Sequence, residues 1–217
     1  MEIVADDALT AWKELLHHVV QKGARIHYRE QNAVECLNVL TTVKNPSKRP
    51  EEPIASLNSL GRWLYPSIEE ISDCLLSAAN ADYIYTYGQR LFMNDKTNQV
   101  DGFIIPLLKE NSMSGRAVVA TWDIRKDSVK NASEVPGIVS MDFKLRGGAL
   151  HVTSIIRNND VFFGWPANFY QTHTIQRYVA NRLGVPVGTL TTLSCSAHVY
   201  EDSLQYAKKI LGRRLRA

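Results

Sequence analysis

The chain has 217 residues, with 25 basic against 22 acidic side chains for a net charge of +3, and is 45% hydrophobic and 22% charged. That length supports one full hydrophobic core, so a single domain over 1–217 is expected. The small charge gives no case for nucleic-acid binding, no apolar run reaches the length of a membrane span, and the short charged start does not read as a signal peptide.

In chain order, Leu9, Trp12, Leu15, Leu16, Val19 and Val20 recur at helical spacing after Asp6-Asp7, with Gly23 as the stop. Arg25–Arg29 and Val34–Val43 read as strands, closed by Asn45-Pro46. Pro46 to Pro53 is a loop rich in proline and charge. A helix is expected over Ser67–Ala79, a turn over Asp95–Asn98 and another helix over Val100–Asn111. From there β-type runs take over: Ala117–Trp122, then Ile138–Leu145, joined through Gly147-Gly148 to Ala149–Ile156 as a hairpin. Asn168–Leu183 reads as a helix ended by Gly184. Leu190–Leu193 and His198–Tyr200 form a last strand before a basic amphipathic helix over Ser203–Leu215, whose Arg213–Arg216 cluster suits a solvated helix end. Strands in hairpins rather than strict βαβ alternation indicate an α+β fold.

Cys36, Cys74 and Cys195 lie far apart with no CxxC pair, which argues against zinc or a disulfide framework and for a cytoplasmic setting. The chemistry concentrates elsewhere, in Ile156-Arg-Asn-Asn-Asp160-Val-Phe-Phe-Gly164-Trp-Pro-Ala-Asn168 and Ser196-Ala-His198-Val-Tyr200. These segments place a cation, amides, a carboxylate, an imidazole and a phenol in apolar surroundings. Left unpaired there, each polar group would cost roughly 1–3 kcal/mol. An arginine beside amides, with His-x-Tyr further on, suits an anion, a heterocycle edge and a sugar hydroxyl, which together describe a nucleotide.

The order and spacing of Tyr87-Gly88-x-Arg90, Ser114-Gly115-Arg116, Trp122-Asp123, Asp142-Phe143 and the two polar segments resemble the thymidylate synthase family, which includes the pyrimidine-nucleotide hydroxymethylases. The likeness is greatest to the short archaeal-type members. The resemblance implies a mixed sheet flanked by helices, in a homodimer packed through the sheet. It assigns nucleotide phosphate to Arg157, with Asn158 where the family usually has serine, and to Arg116 reaching across the dimer. Arg29 would match a loop arginine closing on the same phosphate. Asn168 would read the pyrimidine edge, and His198 with Tyr200 would hold the sugar. Asp160 would lie near the pterin carrier and an ordered water, Gly164 would let that carrier approach, and Trp165 would stack on it or fill the core. The implied carrier is 5,10-methylenetetrahydrofolate or a methanopterin analogue, with no metal.

Two positions depart from the family's pattern. The catalytic cysteine of the family follows a proline and precedes the strand phenylalanine by six residues; counting back from Phe143 reaches Gly137, after Pro136. Gly115 stands where the first of two interface arginines is usual. Three explanations fit. The substrate ring is already electron-rich and needs no thiolate; or Gly137 is an introduced replacement; or the protein binds nucleotide without catalysis. The first is adopted, because the second change at Gly115 would not serve to trap a complex. Cys195, three residues before His198, is either a relocated nucleophile or a small buried thiol. The expected activity is methyl or hydroxymethyl transfer to a nucleotide, with Asp160 and Asn168 as the groups at the reacting centre.

Overall fold

The computed structural model describes residues 1–28, 30–61, 65–77, 85–132 and 134–212. Arg29 and the Arg213–Arg216 cluster lie outside the described residues. The chain divides into two compact units interleaved in sequence: the first takes 1–65, 156–170 and 191–217, the second 66–155 and 171–190.

In the first unit, β1 (Glu2–Ala5) runs parallel to β3 (Gln31–Val43), and β2 (Ala24–Tyr28) folds back on β3 as an antiparallel hairpin. Between β1 and β2 lies α1 (Ala8–Lys22), begun where the Asp7 carboxylate accepts from the Thr10 amide at 2.9 Å. Ala8, Ala11, Trp12, Leu15, Leu16 and Val19 recur at helical spacing and are all buried, so one stripe of α1 carries the core contact. Its Trp12 indole donates to the Val161 carbonyl at 2.8 Å. The loop expected over Pro46–Pro53 is shorter than that, because α2 (Glu52–Asn58) begins with Pro53 in its first turn, where a missing N–H costs nothing. The unit is completed by the two-residue β7 (Asn159–Asp160), the start of α7 (Gly164–Leu183), most of β8 (Val187–Tyr200) and α8 (Leu204–Leu211).

The second unit holds α3 (Ile68–Leu76), α4 (Tyr87–Phe92), a π-helical turn (Val100–Ile104) running into α5 (Ile105–Glu110), β4 (Val118–Ala120), α6 (Ile124–Asp127), β5 (Ile138–Arg146) and β6 (Ala149–Ile156). Ser67 and Glu70 form a reciprocal capping box at the start of α3. Gly147 and Gly148 both take positive φ, 56° and 77°, which the tight β5–β6 turn requires. Among the described residues the strands make one mixed sheet in the order β1-β3-β8-β6-β5-β4, with β2 on β3 and β7 on β8. The fold is α+β, a mixed sheet flanked by helices.

Two of the family-like motifs meet inside the second unit. Arg90 is buried and pairs with Asp127 at 2.7 Å and Asp123 at 3.8 Å, while Asp123 caps α6 by accepting from the Arg125 amide at 3.0 Å. Gly88, next to Arg90, is held by close approach. A Cβ there would lie 2.2 Å from the Ser77 carbonyl oxygen and 2.4 Å from that of Cys74. Gly88→Ala should therefore destabilise the protein by about 3 kcal/mol, lowering its melting temperature by about 10 °C. A change under about 2 °C in a thermal melt would show that the two backbone segments separate easily.

Candidate functional site

The site in the first unit is organised by β7. Asn159 and Asp160 pair in parallel with Ala197 and His198 on β8, and the Val161 amide donates to the His198 carbonyl at 2.8 Å. This register sets Asp160 beside His198 and brings together two polar segments separated by more than thirty residues. Asp160 then makes a tight turn, its Oδ1 accepting from the amides of Phe162 at 3.0 Å and Phe163 at 3.2 Å. Burial pushes its carboxyl up, against the two amide bonds that lower it and with Asp202 adding to the rise, to about 6.

His198 is buried, and the Tyr200 ring meets it edge-on with centroids 4.9 Å apart. Tyr28 from the end of β2 closes the cluster, 5.6 Å from His198 and 6.4 Å from Tyr200, and its hydroxyl accepts from Asn158 Nδ2 at 3.0 Å. Arg157 is half-buried, immediately before Asn158. Asn168, half-buried on α7, donates to Asn159 Oδ1 at 3.3 Å, and the fully buried Asn159 in turn donates to Ser194 at 2.8 Å. A Cβ on Gly164 would sit 3.6 Å from Asp160 Cβ and 3.9 Å from Asn168 Nδ2. A Cβ there would make ordinary van der Waals contact, so the protein's own packing does not require the glycine.

Trp165 is settled by its burial. Its ring is fully enclosed and stacked on Phe169 at 5.1 Å, and its N–H donates to Thr192 at 3.0 Å. Of its two expected roles it takes the core one, because no face is open for a cofactor to stack on. Asn159 and Tyr28, in contrast, were not singled out from the sequence. Asn159 sits in an Asn-Asn-Asp run where spacing alone does not tell a buried amide from an exposed one. Tyr28 belongs to a strand that carried no recognisable motif.

A cavity of about 560 Å³ opens on this cluster, lined by Tyr28, Glu30, Gln31, Asp160, Phe163, Tyr200, Asp202 and Ser203. Three of these are carboxylates, and no described arginine or lysine is among them. Such a lining suits a ligand portion that donates hydrogen bonds and disfavours an anion. Behind Phe163 the Tyr65 ring stacks at 4.5 Å, its phenol oxygen buried without a hydrogen-bond partner and its pKa raised by burial first and by Asp160 second.

The second unit carries the other expected positions. Arg116 is exposed, its amide donating to Ser114 Oγ at 3.2 Å and its carbonyl accepting from the Val118 amide at 2.8 Å, and a Cβ added to Gly115 would meet nothing within 4 Å. Gly137 precedes β5, where the Ile138 amide donates to the Tyr87 hydroxyl at 2.9 Å. Burial raises the Tyr87 phenol, with Tyr85 adding to it. Tyr87 also lines a separate cavity of about 730 Å³ with Cys74 and Glu134, and Cys74 is half-buried there. Cys195 is half-buried on β8, and His173 is buried and pushed down to about 4 by that burial, with Arg177 adding to it. Among the described residues no cluster of His, Cys, Asp and Glu is arranged to hold a metal ion, and no helix is long and apolar enough to cross a membrane.

Comparison with known proteins bears on the same segments: the family described as thymidylate synthase matches residues 12–217. The chain belongs to the thymidylate synthase family. Similar curated proteins, each carrying the description "Putative thymidylate synthase", come from methanogenic archaea. That of Methanothermobacter marburgensis is 32% identical over 97% of either chain. That of Methanosarcina acetivorans is 33% identical over 96% of this chain and 94% of its own. The Methanosarcina barkeri protein is 38% identical over 69% of this chain and 68% of its own.

The raised Asp160 carboxyl has a stability consequence. The native group takes its proton through about pH 6, the unfolded one near the ordinary value of about 4. The native state thus binds more protons between those limits, so stability falls as pH rises from about 4 to 6 and stays lower above. Because the cavity opens to solvent, part of the cost is screened, and the charged form costs on the order of 2 kcal/mol of stability. Asp160→Asn keeps the oxygen that accepts both amides and removes the charge. Its melting temperature should exceed that of the native protein by about 4–8 °C at pH 8, with the gap narrowing below about pH 6 and closing near pH 4; a gap independent of pH would show that Asp160 is not the titrating group.

Proposed function

We propose that this member of the thymidylate synthase family transfers a methyl or hydroxymethyl group from a reduced folate-type carrier to a pyrimidine nucleotide, without a cysteine nucleophile at position 137. The observation that carries the reading is the β7–β8 register, which sets Asp160 beside His198 on a cavity also lined by Tyr200. Arg157 and Asn158 would hold phosphate, with Arg29 and, across a dimer, Arg116. The acid-lined cavity supports keeping phosphate outside it and admitting the donor-bearing parts of the ligands. Asn168, its amide oriented by Asn159, would read the ring edge, and His198 with Tyr200 would take the sugar hydroxyl.

The residues present fit a flat carrier ring that donates hydrogen bonds: Asp160 offers Oδ2 beyond the two amide bonds on Oδ1, and Gly164 leaves room beside it. When bound, 5,10-methylenetetrahydrofolate or a methanopterin analogue supplies an electrophilic one-carbon unit. Asp160 exchanges a proton near neutral pH and can hold it on Oδ2, next to the ring that Asn168 orients. No thiolate can add to the ring from Gly137, so the accepting carbon must be nucleophilic through its own substituents, as in an amino-substituted ring. Turnover of a pyrimidine-nucleotide panel with the methylene carrier should therefore leave the protein mass unchanged. A covalent protein–nucleotide adduct by mass spectrometry would instead assign a nucleophile, with Cys195 and Cys74 the thiols to map. The empty position at Gly137 also favours a second reading, a nucleotide-binding homologue without catalysis; tight binding with no product across the panel selects it.

The dimer through the sheet is part of the same proposal. On β8, Thr191, Leu193 and Cys195 are half-buried and alternate with buried Thr192 and Ser194, leaving one strand face incompletely covered. Leu193→Glu should convert the protein to a monomer in sedimentation velocity, and an unchanged native sedimentation coefficient would place the interface elsewhere.

A further inference from the structure

We propose that Tyr28 is a positioning residue for the phosphate-proximal edge of the nucleotide site, acting through Asn158; this rests on the nucleotide-binding reading above. Tyr28 ends β2 and faces Gln31 across the hairpin, so it stands at the tip rather than in the body of the strand pair. Its hydroxyl accepts from Asn158 Nδ2 at 3.0 Å, a bond that joins positions 130 residues apart. The same ring lies against both His198 and Tyr200 and lines the cavity.

The hairpin that carries Tyr28 is fastened to β8 and the turn after it. Asn32 Nδ2 donates to Glu201 Oε2 at 3.0 Å, His27 Nδ1 lies 3.1 Å from Asn32 Oδ1, and Ser196 donates to Glu35 Oε1 at 2.5 Å. Tyr28 is therefore a fixed post for Asn158. An asparagine amide presents a donor on one side and an acceptor on the other, and an untethered one can turn either toward a ligand. With Nδ2 committed to the Tyr28 oxygen, the direction of the Asn158 carbonyl is set before anything binds. That preorganisation lowers the ordering cost of binding beside Arg157. It also makes the hydroxyl of Tyr28, rather than its ring, the group that matters to the nucleotide.

A double-mutant cycle measures this directly, with affinities for CMP, dCMP and inorganic phosphate read by calorimetry. Tyr28→Phe should weaken nucleotide binding about 5-fold, the size of one ordinary hydrogen bond, while shifting the melting temperature by less than about 2 °C. Asn158→Ala should weaken it by a similar or larger factor. Adding Tyr28→Phe to Asn158→Ala should cost less than about 1.5-fold more, because the phenol acts only through the amide. An equal loss from Tyr28→Phe in both backgrounds, or no loss in the native one, overturns the proposal while leaving nucleotide binding intact. Native protein that binds none of the three probes at millimolar concentration removes the nucleotide reading and this role together.

Discussion

Asn159 and Asp160 pair with Ala197 and His198 over only two residues, yet the first unit's site hangs on that short parallel ladder. A strand so short has little holding power of its own, and its register is maintained from outside. The Trp12 indole grips the Val161 carbonyl, Asn159 is locked to Ser194, and Phe162 packs fully buried against the Trp12 ring at 6.5 Å. A slip by one residue would exchange Asn159 and Asp160 between core and cavity, burying the carboxylate and exposing the amide. Core packing of α1 thus governs which polar group faces the ligand.

The same ladder creates an electrostatic tension that function can use. Asp160 is held as a carboxylate by two amides while burial and Asp202 favour its protonated form. Neither side wins decisively near neutral pH, which is the condition for a group that must both accept and release a proton. The Tyr65 phenol, buried without a partner against Phe163, belongs to the same crowded corner. Unpaired polar atoms are rare in protein interiors and concentrate where a ligand or water completes them. On the proposed reading the acidic cavity and the half-buried Arg157 divide the labour, one side suited to hydrogen-bond donors and the other to an anion.

Much of this was legible in the residues because side-chain periodicity and chemistry coincide. The α1 stripe, the Gly147-Gly148 hairpin and the long β3 follow from local pattern alone. The sequence marks the last strand only by Leu190–Leu193 and His198–Tyr200, since Ser194, Cys195 and Ser196 interrupt the apolar alternation; in the structure β8 runs unbroken through them, its serines bonded to Asn159 and Glu35. Helix α7 begins at Gly164 rather than Asn168, because Pro166 falls in the first turn where proline is tolerated. β1 and α4 carried no strong period and are held by tertiary contact: β1 pairs along β3, and α4 is anchored by the Arg90 ion pairs. Tyr28 and Asn159 escaped notice for a related reason, as their partners lie far along the chain.

Gly137 is where the fold and the expected chemistry part. The backbone beside it is tied by the Ile138 amide on the buried Tyr87 hydroxyl, and β5 beyond it is paired to β4 through Val119↔Met141. Against the family's pattern the sulfur is gone here, as is the interface arginine at Gly115. On the proposed reading, the missing thiolate removes covalent activation of the ring and leaves binding, orientation and proton handling to the remaining residues. Loss of a nucleophile costs on the order of a millionfold in another enzyme class when the substrate stays the same. The penalty shrinks only if the substrate changes with it, since a ring carbon already enriched by an amino substituent does not need the sulfur's electrons. A glycine at this position is therefore compatible with catalysis through the choice of substrate rather than through a substitute residue.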